Sequence, residues 1–260
     1  MKTINILAIS IASISFLFGI EAIAQTKRTK SSSGRKTTAK VTATPTPTNA
    51  STITQTQAIS GIKQALGNGL NNSINALSVK DGFLGNAAVK ILMPKEAQQI
   101  EKTLRSIGMG SLCDQFVTSL NRAAESAVKE AAPVFVNSLA QMTVSDAFNI
   151  LLGTQQDAAT SFFKRTTSAT LTSKFSPIVE SALGKNNVST YWTQLTSAYN
   201  NLPLANNKIN TDLNAYVTQK AIDGLFVQVA DEEIKIRQNI SGSRNSNILN
   251  DVFGWVDKQK

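Results

Sequence analysis

From about residue 56 onwards, apolar residues recur every three or four positions, and no long stretch alternates apolar with polar as a half-buried strand does. Ile59, Ile62, Leu66, Leu70, Ile74 and Leu77 share one face of a first helix. The next stretch, DGFLGNAAVKILMP, is glycine-bearing and irregular, and residues 89–92 read either as a short strand or as an extended run. Pro94 suits the first turn of a second helix, KEAQQIEKTLRSI, which Gly108 can close in the left-handed conformation. A third helix is expected from Ser111, with Cys113, Phe116, Val117, Leu120 and a run of alanines on an arc broad enough for burial against several neighbours. Pro133 starts or kinks another segment, and further helices are expected over 168–175, 177–183, 190–200, 212–238 and 247–256. With no internal repeat, the pattern predicts a single all-α domain over residues 56–260, a bundle of about seven to nine helices.

The N-terminal residues depart from this pattern. Lys2, the apolar run 4–20 and Ala22-Ile23-Ala24 have the order of a secretory signal peptide spanning 1–24, with cleavage after Ala24. That predicts export to a Gram-negative periplasm or beyond the cell. The competing reading is an uncleaved anchor, because the seventeen residues of the run approach a bilayer span. Residues 25–55 are rich in Thr, Ser, Lys and Arg and too poor in large apolar residues to offset chain entropy, which predicts a disordered basic linker. Six of its residues are cationic (Lys27, Arg28, Lys30, Arg35, Lys36 and Lys40). The chain carries +9; with those six removed and Lys2 cancelled by Glu21, the domain keeps +3. Such a tail suits an anionic envelope surface. It has no aromatic residue to stack on bases, which argues against nucleic acid as a partner.

The absence of histidine and the presence of one cysteine, Cys113, narrow the chemistry further. A Ser-His-Asp or Cys-His system, a histidine-bound zinc and an intramolecular disulfide are excluded, and no cofactor or metal motif is present. Enzyme readings therefore rest on carboxylates. On a helical wheel Glu233 falls within the apolar arc of the 212–238 helix, with Glu232 at its edge, while Asp231 and Lys235 face away as an i,i+4 pair. A carboxylate on a buried face needs a cation or hydrogen-bond donors, and Arg237, Arg122 and Arg165 are the candidate partners. The same group, with Asp223, would also serve a carboxylate site, so structural pairing and catalysis both stay open. Arg122 and Glu125 lie opposite the alanine arc, as a surface ion-pair row or the lining of a polar cleft. Phe162, Phe163, Phe175, Trp192, Tyr199, Tyr216 and Phe226 are candidates for a hydrophobic-ligand pocket or for plain core.

The stretch MTVSDAFNILLGTQQDAATSFFKRTT (142–167) holds two S/T-x-x-D patterns, Thr143 with Asp146 and Thr154 with Asp157, and Ser111 with Asp114 makes a third. Each reads as a reciprocal helix cap rather than as chemistry.

In order along the chain, GIKQALGNG (61–69), KDGFLGN (80–86), NRAAESAV (121–128), MTVSDAFNILLG (142–153), DAAT (157–160), DGLF (223–226) and EE-x-KIR (232–237) resemble the exported bacterial family catalogued as domain of unknown function 4197. The resemblance implies a helical, signal-bearing envelope protein of Gram-negative bacteria and brings no activity or catalytic residue with it. The leading expectation is a non-catalytic binding module for a protein partner or a hydrophobic ligand. The alternatives are a histidine-free hydrolase or carboxylate-metal enzyme using Glu232, Glu233 and Asp223, and a structural envelope protein tethered by its basic tail.

Overall fold

The computed structural model describes residues 53–201 and 212–259. The expected signal peptide, its cleavage site and the linker up to residue 52 lie outside the described residues. Among those described there are nine α-helices and no strand: α1 (Gln55–Leu77), α2 (Gln98–Ser106), α3 (Gly110–Val128), α4 (Ala131–Gln141), α5 (Val144–Leu152), α6 (Ala158–Lys185), α7 (Val188–Asn200), α8 (Leu213–Arg237) and α9 (Asn247–Asp257). The all-α bundle expected from the periodicity is the fold.

Helix α1 begins one residue inside the expected linker because Thr54 and Gln57 form a reciprocal cap. The Gln57 amide donates to Thr54 Oγ1 (3.2 Å) and the Thr54 amide to Gln57 Oε1 (2.9 Å). Helix α2 follows a short 3-10 turn after Pro94, and Gly108 lies beyond its end at φ +86°, the left-handed terminator its sequence suggested. The two helices expected over 168–183 are one, because α6 runs straight through Pro177. Pro177 is solvent-exposed, as is Ser173, whose carbonyl the missing N–H leaves unpaired. That carbonyl lies on the exposed face, open to solvent, while Phe175 and Val179 on the other face hold the helix in the core.

Helix α8 is the hub of the bundle, packed by α6, α3 and α1, with α9 lying on α1 and α7 on α3. Phe135 meets Phe163 edge-on at 5.4 Å and Phe226 at 6.2 Å, and Phe116 stacks on Trp192 at 5.3 Å. Phe162, Phe163, Phe175 and Phe226 are thus core, while Trp192, Tyr199 and Tyr216 are half-buried at its margin. These aromatics do not gather around one pocket. Gly224 in α8 has a specific reason to lack a side chain: a Cβ there would sit 2.7 Å from Phe83 Cε1 and 3.1 Å from Val89 Cβ. The irregular segment between α1 and α2 packs on α8 at that point. Residues 89–92 within it form no strand: the Val89 and Lys90 amides close a turn on the Asn86 carbonyl, and 91–92 have no regular secondary structure.

Of the three expected caps, one forms. At α5 the Asp146 amide donates to Thr143 Oγ1 (3.1 Å), while the Thr143 amide (3.0 Å) and hydroxyl (2.6 Å) both donate to Asp146 Oδ2. Helix α3 instead starts at Gly110 with no side-chain cap, and Asp114 is taken by Arg105 of α2 at 2.7 Å. Helix α6 starts at Ala158, with Asp157 at the cap position but making no capping bond, and Thr154 lies in the preceding turn. Thr143→Ala should therefore cost about 1 kcal/mol and Thr154→Ala less than about 0.5 kcal/mol, read by urea denaturation. The Thr143 bonds hold the Asp146 carboxyl below its ordinary value of 3.8. Its contribution is full above that value and is lost as pH falls through the depressed one. The melting-temperature gap between wild type and Asp146→Asn should therefore shrink on acidification below pH 3.8.

Candidate functional site

Glu233 projects from α8 into the corner where α5 turns into α6. Its carboxylate accepts the Ala159 amide (2.9 Å), the Thr160 amide (2.9 Å) and the Thr160 hydroxyl (2.9 Å), capping α6 from a residue more than seventy positions away. Arg237, one turn further along α8, donates to Glu233 Oε1 through Nε (3.0 Å) and Nη2 (2.8 Å). The same Nη2 donates to the carbonyl of Ile150 near the end of α5 (2.8 Å). Carboxylate at one helix start and guanidinium at another helix end match both helix dipoles. Thr154 and Asp157 are replaced as caps by a group that no local pattern could have revealed. Of the three arginines considered as partners of Glu233, only Arg237 reaches it.

Arg122 serves a second joint. Its Nη1 donates to Glu125 Oε2 (2.6 Å) and its Nη2 to Asp81 Oδ1 (2.6 Å). Glu125 is 4% exposed, so it does not belong to a surface ion-pair row. The segment after α1 covers it, and its Oε1 accepts the Phe83 amide at 3.2 Å. The Arg122 bond holds the Asp81 carboxyl below its usual range. Asn121 completes the socket by taking both backbone groups of Ile91: Oδ1 accepts the amide (2.8 Å) and Nδ2 donates to the carbonyl (2.8 Å). One side chain thus takes both backbone polar groups of Ile91 that a partner strand would otherwise take.

The three candidate carboxylates do not converge. Glu232 faces α1, accepting from Asn72 Nδ2 (2.9 Å) and Lys235 Nζ (2.5 Å), so Lys235 pairs with Glu232 and not with Asp231. Asp223 is exposed, with Gln219 Nε2 at 2.8 Å and Lys220 at 3.9 Å. Arg165 lies over the Phe162 ring at 5.7 Å, at a polar groove of about 410 Å³ between α4 and α6. Burial pushes the Cys113 thiol upwards, away from the thiolate that a nucleophile needs. Arg244 was not singled out from sequence. It donates to the carbonyls of Ile236 (2.9 Å) and Arg237 (2.6 Å) and to Asp257 (2.6 Å), closing the end of α8 against α9. A basic residue just past a helix end was the available signal.

Two further grooves are open among the described residues. One, of about 530 Å³, is formed by Leu152, Thr154, Trp255, Val256 and Gln259. The other, of about 390 Å³, lies between segment 90–98 and α8.

Removing either partner of the buried Glu233–Arg237 pair strands the other. Glu233→Ala and Arg237→Ala should each lower unfolding free energy by about 3–5 kcal/mol. The double variant should cost clearly less than their sum in urea denaturation, whereas strict additivity would show that the two groups act independently.

Six of the seven motifs behind the resemblance meet in two groups of three. KDGFLGN and NRAAE join through Asp81, Arg122 and Glu125, and DGLF adds Gly224 beneath Phe83. MTVSDAFNILLG, DAAT and EE-x-KIR join through Ile150, Thr160, Glu233 and Arg237. No curated protein and no solved structure matches the chain. A family model described as "Protein of unknown function (DUF4197)" matches residues 52–254, and the chain belongs to that family.

Proposed function

We propose that the protein is an exported, non-catalytic binding module of the bacterial envelope that holds a protein partner or a hydrophobic ligand. The observation that carries this reading is the saturation of the buried carboxylates. Glu233 is occupied by the amides of α6, the Thr160 hydroxyl and Arg237, Glu125 by Arg122 and the Phe83 amide, and Glu232 by Asn72 and Lys235. A general acid or base must be within reach of substrate, and these groups are committed to holding helices together. What the described surface offers instead is three open grooves of about 390, 410 and 530 Å³, within the size range of small-molecule sites. The export part of the reading rests on Lys2, the apolar run 4–20 and Ala22-Ile23-Ala24.

Native mass spectrometry of protein isolated from its host tests both parts. The expected result is a chain beginning at Gln25 that carries a co-purifying ligand or partner. A bare monomer would overturn the binding reading, and a mass that includes Met1 would overturn cleavage after Ala24.

A further inference from the structure

We propose that the groove between segment 90–98 and α8 binds a single-chain anionic amphiphile, its alkyl chain lying on Leu92 and its head held by Lys90, Lys95 and Lys220. This rests on the binding-module reading above and names the class of ligand and the site.

The apolar wall comes from the extended segment. Ile91 and Met93 are buried while Leu92 between them is 58% exposed, the alternation of an extended chain with one face in the core. An outward position of that kind ordinarily carries a polar residue, yet here a leucine faces a groove of about 390 Å³. The wall is held in place before any ligand arrives. Asn121 grips both backbone groups of Ile91, and the Tyr216 hydroxyl donates to the Leu92 carbonyl (3.0 Å). Pro94 restricts the chain where the segment ends. A fixed wall spares a ligand the cost of ordering it.

The charge comes from the rim. Lys90, Lys95 and Lys220 line the groove against one acid, Glu96. Lys90 and Lys95 have no ion-pair partner among the described residues, and Lys220 has only Asp223 at 3.9 Å. Burial, reinforced by Glu96, pushes the Tyr216 phenol upwards, so it stays neutral and adds no second negative charge. Lysine stems can extend the apolar wall while their ammonium groups reach an anionic head. The other two grooves lack this combination. The one between α4 and α6 has a single cation, Arg165, with the Asp146 acid beside mostly amides and hydroxyls, and the one at Leu152, Trp255 and Val256 has no charged residue. An apolar wall beside unpaired cations matches a ligand with a greasy chain and one negative end.

Isothermal titration of the purified full chain with decanoate, below the concentration at which it forms micelles, tests the site. Saturable one-to-one binding is expected, weakening at higher salt. Each of Lys90→Gln, Lys95→Gln and Lys220→Gln should weaken it by about threefold. The triple Lys→Glu variant and Leu92→Asp should each weaken it by about tenfold or more, with melting temperatures close to wild type. Absence of saturable binding overturns the proposal, as does equal affinity in the triple variant or equal binding of decyltrimethylammonium. Inorganic phosphate bound as tightly as decanoate also overturns it, because the chain would then contribute nothing. Binding to phosphatidylglycerol vesicles without binding of monomeric decanoate assigns the lysines to a membrane surface and overturns it as well. If decanoate fails while native mass spectrometry finds another ligand or partner, this inference falls and the binding-module reading stands.

Discussion

The Glu233 carboxylate lies inside the bundle between a buried guanidinium and the first amides of α6, and three helices depend on that arrangement. A helix start buried in a core leaves amide groups that water cannot reach, and a buried helix end leaves carbonyls in the same position. At the corner between α5 and α6 both problems arise within a few residues. One ion pair from α8 answers them together, the carboxylate taking the amides and the guanidinium taking the Ile150 carbonyl. The charges also cancel each other, which is the condition for keeping either of them in a core. Helix α8 can therefore run through the centre of the bundle while bearing polar groups.

The same principle recurs at two other non-helical places among the described residues. The segment after α1 has no ladder of its own, so Glu125 takes its Phe83 amide and Asn121 takes both polar groups of Ile91. The end of α8 is closed by Arg244, whose guanidinium also lies over the Phe253 ring at 5.2 Å. Buried polar joints of this sort add little net stability compared with apolar packing, and they specify which helices meet and in what register. The motifs that carry the family resemblance largely coincide with these joints. They look like chemistry because they bring acids, arginines and amides together, and the groups they bring together are spent on backbone.

The open surface differs from the interior in this respect. Its grooves include side chains with no ion pair or hydrogen bond of their own, among them Leu92, Lys90 and Lys95. Function on this fold is accordingly sought at its margins, where the irregular segment and the last helix leave side chains uncommitted.

Much of the fold was legible in the sequence, because helical periodicity is a local property. The apolar face of α1, the limits of α8 around 212–238, the left-handed Gly108 and the Thr143–Asp146 cap each depend on residues within a few positions of one another. The burial of Glu233 and its pairing with Arg237 were also local, following from a wheel and one helical turn. What the local pattern misjudged were choices between near and distant partners. Thr154 and Asp157 had the spacing of a cap, but Glu233 occupies the amides they would have taken. Glu125 had the spacing of a surface pair, but the segment after α1 lies over it. Pro177 marked a break, yet α6 continues because its other face is buried. The sequence by itself determined the helices, their apolar faces and the absence of histidine chemistry, all set by nearest neighbours and composition. Only the tertiary structure decided which polar groups meet, because a buried hydrogen bond is awarded to whichever donor or acceptor packing brings into range, whatever its distance along the chain.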